Sequence, residues 1–350
     1  MVREAIQKVV DGERLSRAEA ADAMDAIMTG EATGAQIGAL VTALRMRGET
    51  DEEIAGFAES MRRHARRVPL ATGETVVDIV GTGGDRAHTF NISTTAAFVV
   101  AGAGVKVAKH GNRAMTSRCG AADVLEGLGV KIDLGPDEVG RCIDEVGIGF
   151  MYATVFHPAM RFAGPSRKEI GIRTVFNILG PLTNPAAAPF QMIGVPDPQV
   201  AERMARVLAL LGTTHALVVT SDDGLDEVSI SAPTVVNEVR VNGRVDVRRF
   251  QIEPAELGIT GAPLAEVRGG SVEDNVAITR HVLDGGNGAT RAITLLNAAA
   301  ALYAADAVGS IRDGVVLAAE SIDSGAAAAK LDELVRVSNR LADDARLVVA

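Results

Sequence analysis

Residues Thr75–Thr95, TVVDIVGTGGDRAHTFNISTT, decide how this chain is read. A β-branched run, Val76-Val77-Asp78-Ile79-Val80, breaks into Gly81-Thr82-Gly83-Gly84-Asp85, and Asn91-Ile92-Ser93-Thr94-Thr95 then opens an Ala/Val-rich helix. The order predicts strand, glycine loop and helix N-terminus. Glycines allow positive φ, so successive N–H groups can converge on one point, and the helix start adds partial positive charge; the arrangement suits phosphate. A Walker A loop would need four residues between its glycines and a closing Gly-Lys-Ser/Thr, which are absent. The dinucleotide fingerprint would need a third glycine where Arg86 stands, which leaves a dinucleotide site as a lesser alternative. Asp85 is unusual beside phosphate unless a metal ion or a ligand hydroxyl lies between them, so Mg²⁺ or a sugar is expected nearby. The competing reading is a plain glycine turn before a core helix.

Two further segments point to the same edge of a sheet. Val105–Ala108 reads as a strand, Lys109-His110-Gly111-Asn112-Arg113 as the loop at its carboxyl end, and Ala121–Leu125 as the next helix. Adjacent parallel strands would bring both loops together where ligands bind in open α/β sheets, with Lys109 and Arg113 supplying cationic charge. Ser117 and the polar side chains of 91–95 offer further donors, although each taken singly is commonly a cap or turn residue. Farther on, the strand Ala216–Thr220 runs into Ser221-Asp222-Asp223-Gly224-Leu225-Asp226-Glu227, whose hard oxygens suit Mg²⁺ but lack EF-hand spacing.

The chain has 350 residues, 47% hydrophobic and 23% charged, enough for an α/β core and a second domain. A net charge of −10 disfavours general nucleic-acid binding. Cys119 and Cys142 have no metal-ligand spacing and suggest a reducing cytoplasm; no apolar run approaches bilayer length. Before about Val68 the chain reads as helices alone. Capping boxes are predicted at Ser16/Glu19, Thr33/Gln36 and Thr50/Glu53, ahead of the apolar stripes Ile37-Leu40-Val41-Leu44 and Ile54-Phe57-Ala58-Met61. So small a helical unit needs a partner surface, either the rest of the chain or a second copy, and a homodimer through these helices is expected. The basic run Arg62–Arg67 is expected to be solvated charge at a helix C-terminus.

Between these units stand Phe156-His157-Pro158 and Arg167-Lys168-Glu169-Ile170-Gly171-Ile172-Arg173-Thr174-Val175-Phe176-Asn177-Ile178-Leu179-Gly180-Pro181-Leu182-Thr183-Asn184-Pro185. With GTGGD, NIST, KHGNR and Asp226-Glu227, this arrangement resembles the anthranilate phosphoribosyltransferases of tryptophan biosynthesis over nearly the whole chain. The resemblance implies a small helical domain, 1–72 joined by about 162–186, and an α/β domain, 73–161 with 187–350, built on a central, mainly parallel sheet flanked by helices. It implies Mg-dependent transfer of the 5-phosphoribosyl group from phosphoribosyl pyrophosphate (PRPP) to the amine of anthranilate, with two Mg²⁺ ions.

Carried over by motif, the resemblance assigns PRPP to Gly81, Gly84, Asp85, Thr89, Asn91, Ile92, Ser93, Thr94, Lys109, His110, Gly111, Asn112, Arg113, Ser117 and Ala121. It assigns anthranilate to Gly81, His110, Asn112, His157 and Arg167, and metal to Ser93, Asp226 and Glu227. A guanidinium at Arg167 could pair with a benzoate carboxylate. Catalysis is expected to be electrostatic and orientational, with no enzyme nucleophile. The chain departs from the family pattern at Thr154, where proline is common, at Ala121, where serine is common, and at Gly288–Ala292. A pyrimidine nucleoside phosphorylase, with shared architecture, and a non-catalytic nucleic-acid-binding homologue are the alternatives. KHGNR argues against the first, and the acidic composition argues against the second.

Overall fold

In the computed structural model, which describes residues 1–70, 75–114 and 118–349, the β-branched run becomes β1 (Val77–Gly81), near the middle of a seven-stranded sheet. The expected domain boundary at 72/73 and Ser117 lie outside the described residues. The other strands are β2 (Val107–Gly111), β3 (Ile148–Tyr152), β4 (Phe190–Gly194), β5 (His215–Ser221), β6 (Thr234–Val241) and β7 (Val245–Ile252), in the order β3-β2-β1-β4-β5-β6-β7. The first five run parallel, and β6 and β7 extend the sheet antiparallel. Parallel register pairs Gly81 with Gly194 and Gly111 with Tyr152, so these strands end on one edge and their following loops converge there.

The second strand differs from the sequence expectation. It spans Val107–Gly111, so Lys109 and His110 lie within the sheet, 2% and 5% exposed, and not in the loop. Their polarity concealed the strand, but each has a partner there. The Lys109 Nζ donates to the Ile79 carbonyl at 2.6 Å, and the His110 N–H donates to Asp78 Oδ1 at 3.1 Å. Asp78, itself fully buried in β1, also accepts from Asn184 Nδ2 at 2.8 Å. Polar groups are tolerated in a strand inside the sheet when they are bonded; His110 Nε2 is the exception, with no partner among the described residues.

The N-terminal helices are α1 (Val2–Val10), α2 (Arg17–Met28), α3 (Gly34–Arg47) and α4 (Asp51–His64). All three predicted capping boxes form, and both predicted apolar stripes are buried. The basic end of α4 is more engaged than expected. Arg62 Nε donates to the Leu182 carbonyl at 2.7 Å, while Arg63 and His64 meet Asp25 at 2.6 and 2.9 Å.

Along the rest of the chain follow α5 (Ile92–Gly102), α6 (Ala121–Gly127), α7 (Pro136–Val146), α8 (Ala153–Phe156), α9 (Met160–Ile170), α10 (Phe176–Leu179) and α11 (Pro198–Leu210). The last four are α12 (Val272–Leu283), α13 (Ala289–Ala304), α14 (Ile311–Asp323) and α15 (Ala326–Val349). Both sheet faces are covered, as parallel strands require. Leu217 and Val219 of β5 enter the core shared with α5 and α12–α15, whereas the alternate Ala216 and Val218 enter the core shared with α1–α4 and α11. The helical domain thus packs on one face of the sheet, together with Ala163, Val175, Phe176, Leu179 and Leu182 from the 160–182 segment. No helix among the described residues is long and apolar enough to cross a membrane.

Candidate active site

The glycine loop after β1 holds two successive left-handed residues, Gly83 at φ 71° and Gly84 at φ 86°. Its first fixed partner is the acidic loop after β5. The Gly83 N–H donates to Asp226 Oδ2 at 2.6 Å, and the Ser93 N–H, in the first turn of α5, donates to Glu227 Oε1 at 3.2 Å. Close approach of Asp226 explains two glycines that phosphate binding alone would not. A Cβ at Gly81 would stand 2.5 Å from Asp226 Oδ2, and one at Gly194 would overlap the Asp226 carbonyl.

The acidic loop is braced from within and behind. Asp223 accepts from the hydroxyls of Ser221 and Ser229 at 2.6 and 2.7 Å, which gives it a structural job inside the loop. Asn297 of α13 grips Val228 by both backbone groups, accepting from its N–H at 2.8 Å and donating to its carbonyl at 2.9 Å. Asn297 escaped the sequence reading, although one amide in the apolar run Ile293–Leu302 is the kind of signal a buried bracket leaves. Asp78 and Asn184 escaped it too. They tie β1, β2 and the 181–187 connection together, since Asn184 Nδ2 also donates to the Ala108 carbonyl at 2.9 Å.

Charge in this corner is unbalanced. Burial, then the Asp85 carboxylate, pushes Asp226 up to about 7; burial, then Asp226, raises Glu227 well above the usual carboxyl range. Lys109 is the buried cation among them, its Nζ 3.4 Å from Ser93 Oγ, and burial lowers its pKa against the pull of Asp78 and Glu227. Carboxylates so poised are stabilised in ionised form by a divalent cation. Among the described residues no cluster of three His, Cys, Asp or Glu could hold a metal alone. Two carboxylates with Ser93 alongside fit Mg²⁺, a hard ion that keeps waters and takes phosphate oxygens for the rest of its shell. Around the same loop Thr82 Oγ1, Asn91 Oδ1 and Thr94 Oγ1 are buried without a hydrogen-bond partner among the described residues. Such orphaned groups mark a place for a polar ligand.

The other assigned residues fall into separate groups. Asn91 starts α5 without a side-chain cap and instead donates from Nδ2 to the Cys119 carbonyl at 3.3 Å. Ile92 is core, 1% exposed, so it could meet a ligand only through its backbone. Thr89 bridges to Arg268. Asn112 is exposed and accepts the Arg113 N–H at 2.8 Å. Arg113 does not reach the glycine loop; it is held by Asp123 and Glu126, both at 2.8 Å, over the Tyr152 ring. Gly111 and Ala121 are in close approach, 3.1 Å for a Cβ at Gly111, at the end of β2.

His110 and His157 form a pair, ring centroids 5.0 Å apart. Burial pushes them down to about 3 and about 4 respectively, so both are neutral, and neither Nε2 has a partner among the described residues. Arg167, half-buried on α9, lies over the Phe176 ring at 5.2 Å and makes no ion pair among the described residues.

Residues 73–328 match the family described as "Glycosyl transferase family, a/b domain", and residues 3–65 match "Glycosyl transferase family, helical bundle domain". Over 343 residues the chain is 59% identical to the anthranilate phosphoribosyltransferase of Thermomicrobium roseum, covering 98% of this chain and 99% of that one. The chain belongs to the anthranilate phosphoribosyltransferase family. Solved anthranilate phosphoribosyltransferases have the same fold. The enzyme from Thermus thermophilus superposes with a TM-score of 0.90 at 43% identity, over 96% of this chain and 99% of that one. The enzyme from Saccharomyces cerevisiae, in complex with PRPP and Mg, gives 0.87 at 29% identity, over 97% and 98%.

Proposed function

We infer that this chain carries out the reaction of its family: the anthranilate amine displaces pyrophosphate from PRPP, giving N-(5-phosphoribosyl)anthranilate for tryptophan biosynthesis. The observation that carries this reading is the junction of Asp226 and Glu227 with the N–H groups of Gly83 and Ser93, which joins a metal-suited carboxylate pair to a phosphate-suited loop. Mg²⁺, when bound with the diphosphate, offsets the charge of the leaving group. Two ions fit two carboxylates at the opening of one loop.

The chain's own groups do the rest. The Gly84 N–H and the orphaned Thr82 and Thr94 hydroxyls hold the diphosphate, while the orphaned Asn91 Oδ1, an acceptor, takes a ribose hydroxyl of PRPP. Lys109 offsets charge from beneath. Arg167 pairs with the benzoate carboxylate, and Asn112 with the neutral His110–His157 pair forms the wall that aims the amine at the anomeric carbon. Neutral imidazoles suit this wall, since a cation there would oppose the positive charge that develops on the ribose.

The apolar contacts of 160–182 support taking about 162–186 with the helical domain of 1–72, leaving 73–161 and 187–350 as the α/β domain. A homodimer through the N-terminal helices is supported by Met46 and Val10, both exposed on that domain; a Met46→Glu chain that sediments like the wild type would refute that contact. The two cysteines, Cys119 and Cys142, both buried, support a cytoplasmic enzyme. Mass spectrometry of the product tests the activity. Equal amounts of phosphoribosylanthranilate and pyrophosphate are expected from PRPP and anthranilate, and phosphorolysis of uridine in their place would establish the nucleoside phosphorylase alternative.

A further inference from the structure

Arg173, between α9 and α10, reaches the glycine loop from the helical side. Both of its Nη atoms lie 3.4 Å from the Gly83 carbonyl oxygen, and a Cβ at Gly84 would overlap Nη1. The guanidinium thus occupies the volume that glycine leaves open. Asp226 and Arg173 hold the same residue from its two polar sides, Asp226 at the Gly83 N–H and Arg173 at the carbonyl.

Two of the other cations nearby are committed elsewhere. Lys109 is buried and bonded to Ile79 and Ser93. Arg113 is held by Asp123 and Glu126. Arg86, on the loop itself, makes no hydrogen bond among the described residues. Arg173 is exposed and makes no ion pair among the described residues. Its bond to a neutral carbonyl is at the long limit of hydrogen bonding, whereas a phosphate oxygen would offer a shorter, charge-assisted and bidentate one.

We propose that Arg173 is a further substrate-binding residue, which exchanges the Gly83 carbonyl for oxygens of the diphosphate end of PRPP. The proposal rests on the function inferred above. It also makes the end of α9 a reader of both substrates. Arg167 in its last turn faces the aromatic acid, and Arg173, beyond the left-handed cap at Gly171 (φ 67°), grips the diphosphate.

Steady-state kinetics with Mg²⁺ test it. Arg173→Ala and Arg173→Gln are each expected to raise the KM for PRPP about tenfold or more, the scale of one lost charge-assisted bond. Inhibition by added pyrophosphate should weaken in parallel, while kcat and the KM for anthranilate stay within about twofold. Arg173→Lys should recover part of the loss. An unchanged KM for PRPP, or an equal rise in the KM for anthranilate, would overturn the proposal. A wild-type chain that consumes neither substrate would instead overturn the function on which it rests.

Discussion

Gly81 shows how a residue with no side chain positions a buried carboxylate. A Cβ there would stand 2.5 Å from Asp226 Oδ2, so the carboxylate is aimed by an absence of atoms as much as by the Gly83 N–H. Among polar residues the roles divide. Glu227→Gln is expected to lower kcat roughly 10²-fold, the scale of losing an electrostatic stabiliser, whereas Arg167→Ala is expected chiefly to raise the KM for anthranilate. Equal, small effects from both would contradict this division. The histidine pair gives a pH signature. Burial holds His110 and His157 below their ordinary value of 6.5, at about 3 and about 4. A group with a depressed folded pKa contributes stability that is fully present above its unfolded pKa and lost as pH falls through the folded one. The thermal midpoint should therefore drop between pH 7 and pH 4.5, and more shallowly in His157→Asn; parallel profiles would contradict the neutral pair. Asp226, Glu227 and Lys109 were legible because motifs carry them. Asp78 was not, because a lone carboxylate in a β-branched run has no meaning until Asn184, 106 residues away, is folded against it.

Elements follow local rules except where tertiary partners override them. The three capping boxes could be read from side chains three residues apart, and all form. The strand at Val105–Ala108 was read, but the end of β2 was not, because Lys-His-Gly looks like a loop until the carbonyl of Ile79 and the carboxylate of Asp78 are in place. The antiparallel β6–β7 pair was also missed, although Asn242-Gly243, with Gly243 at φ 71°, is a hairpin signal between them. α13 serves the site at a distance, through Asn297. Asn297→Ala removes two bonds to Val228 and leaves a buried N–H and carbonyl unpaired, so we expect a loss of about 2–4 kcal/mol in urea unfolding. Turnover should fall with it, since Glu227 is the neighbouring residue. Unfolding within about 0.5 kcal/mol of the wild type would show that the loop holds itself.

Taken as a whole, the sheet is a wall with the candidate site along its carboxyl edge. One face carries α5 and the C-terminal helices, the other the helical domain, and successive residues of β5 point to opposite cores. The α/β class and the helical start were readable from periodicity. The way the helical domain packs on the sheet was not, because it depends on side chains of β4, β5 and β6 meeting helices from the other end of the chain. This packing brings Arg173, just beyond the end of α9, to the glycine loop at the carboxyl edge of the sheet. The proposed activity requires the glycine and acidic loops and the segment after α9 to form one site for Mg-dependent phosphoribosyl transfer. Anthranilate fluorescence follows it directly. With PRPP and Mg²⁺ present the signal should decay, and with either omitted it should persist; a signal that persists with all components present would contradict the account.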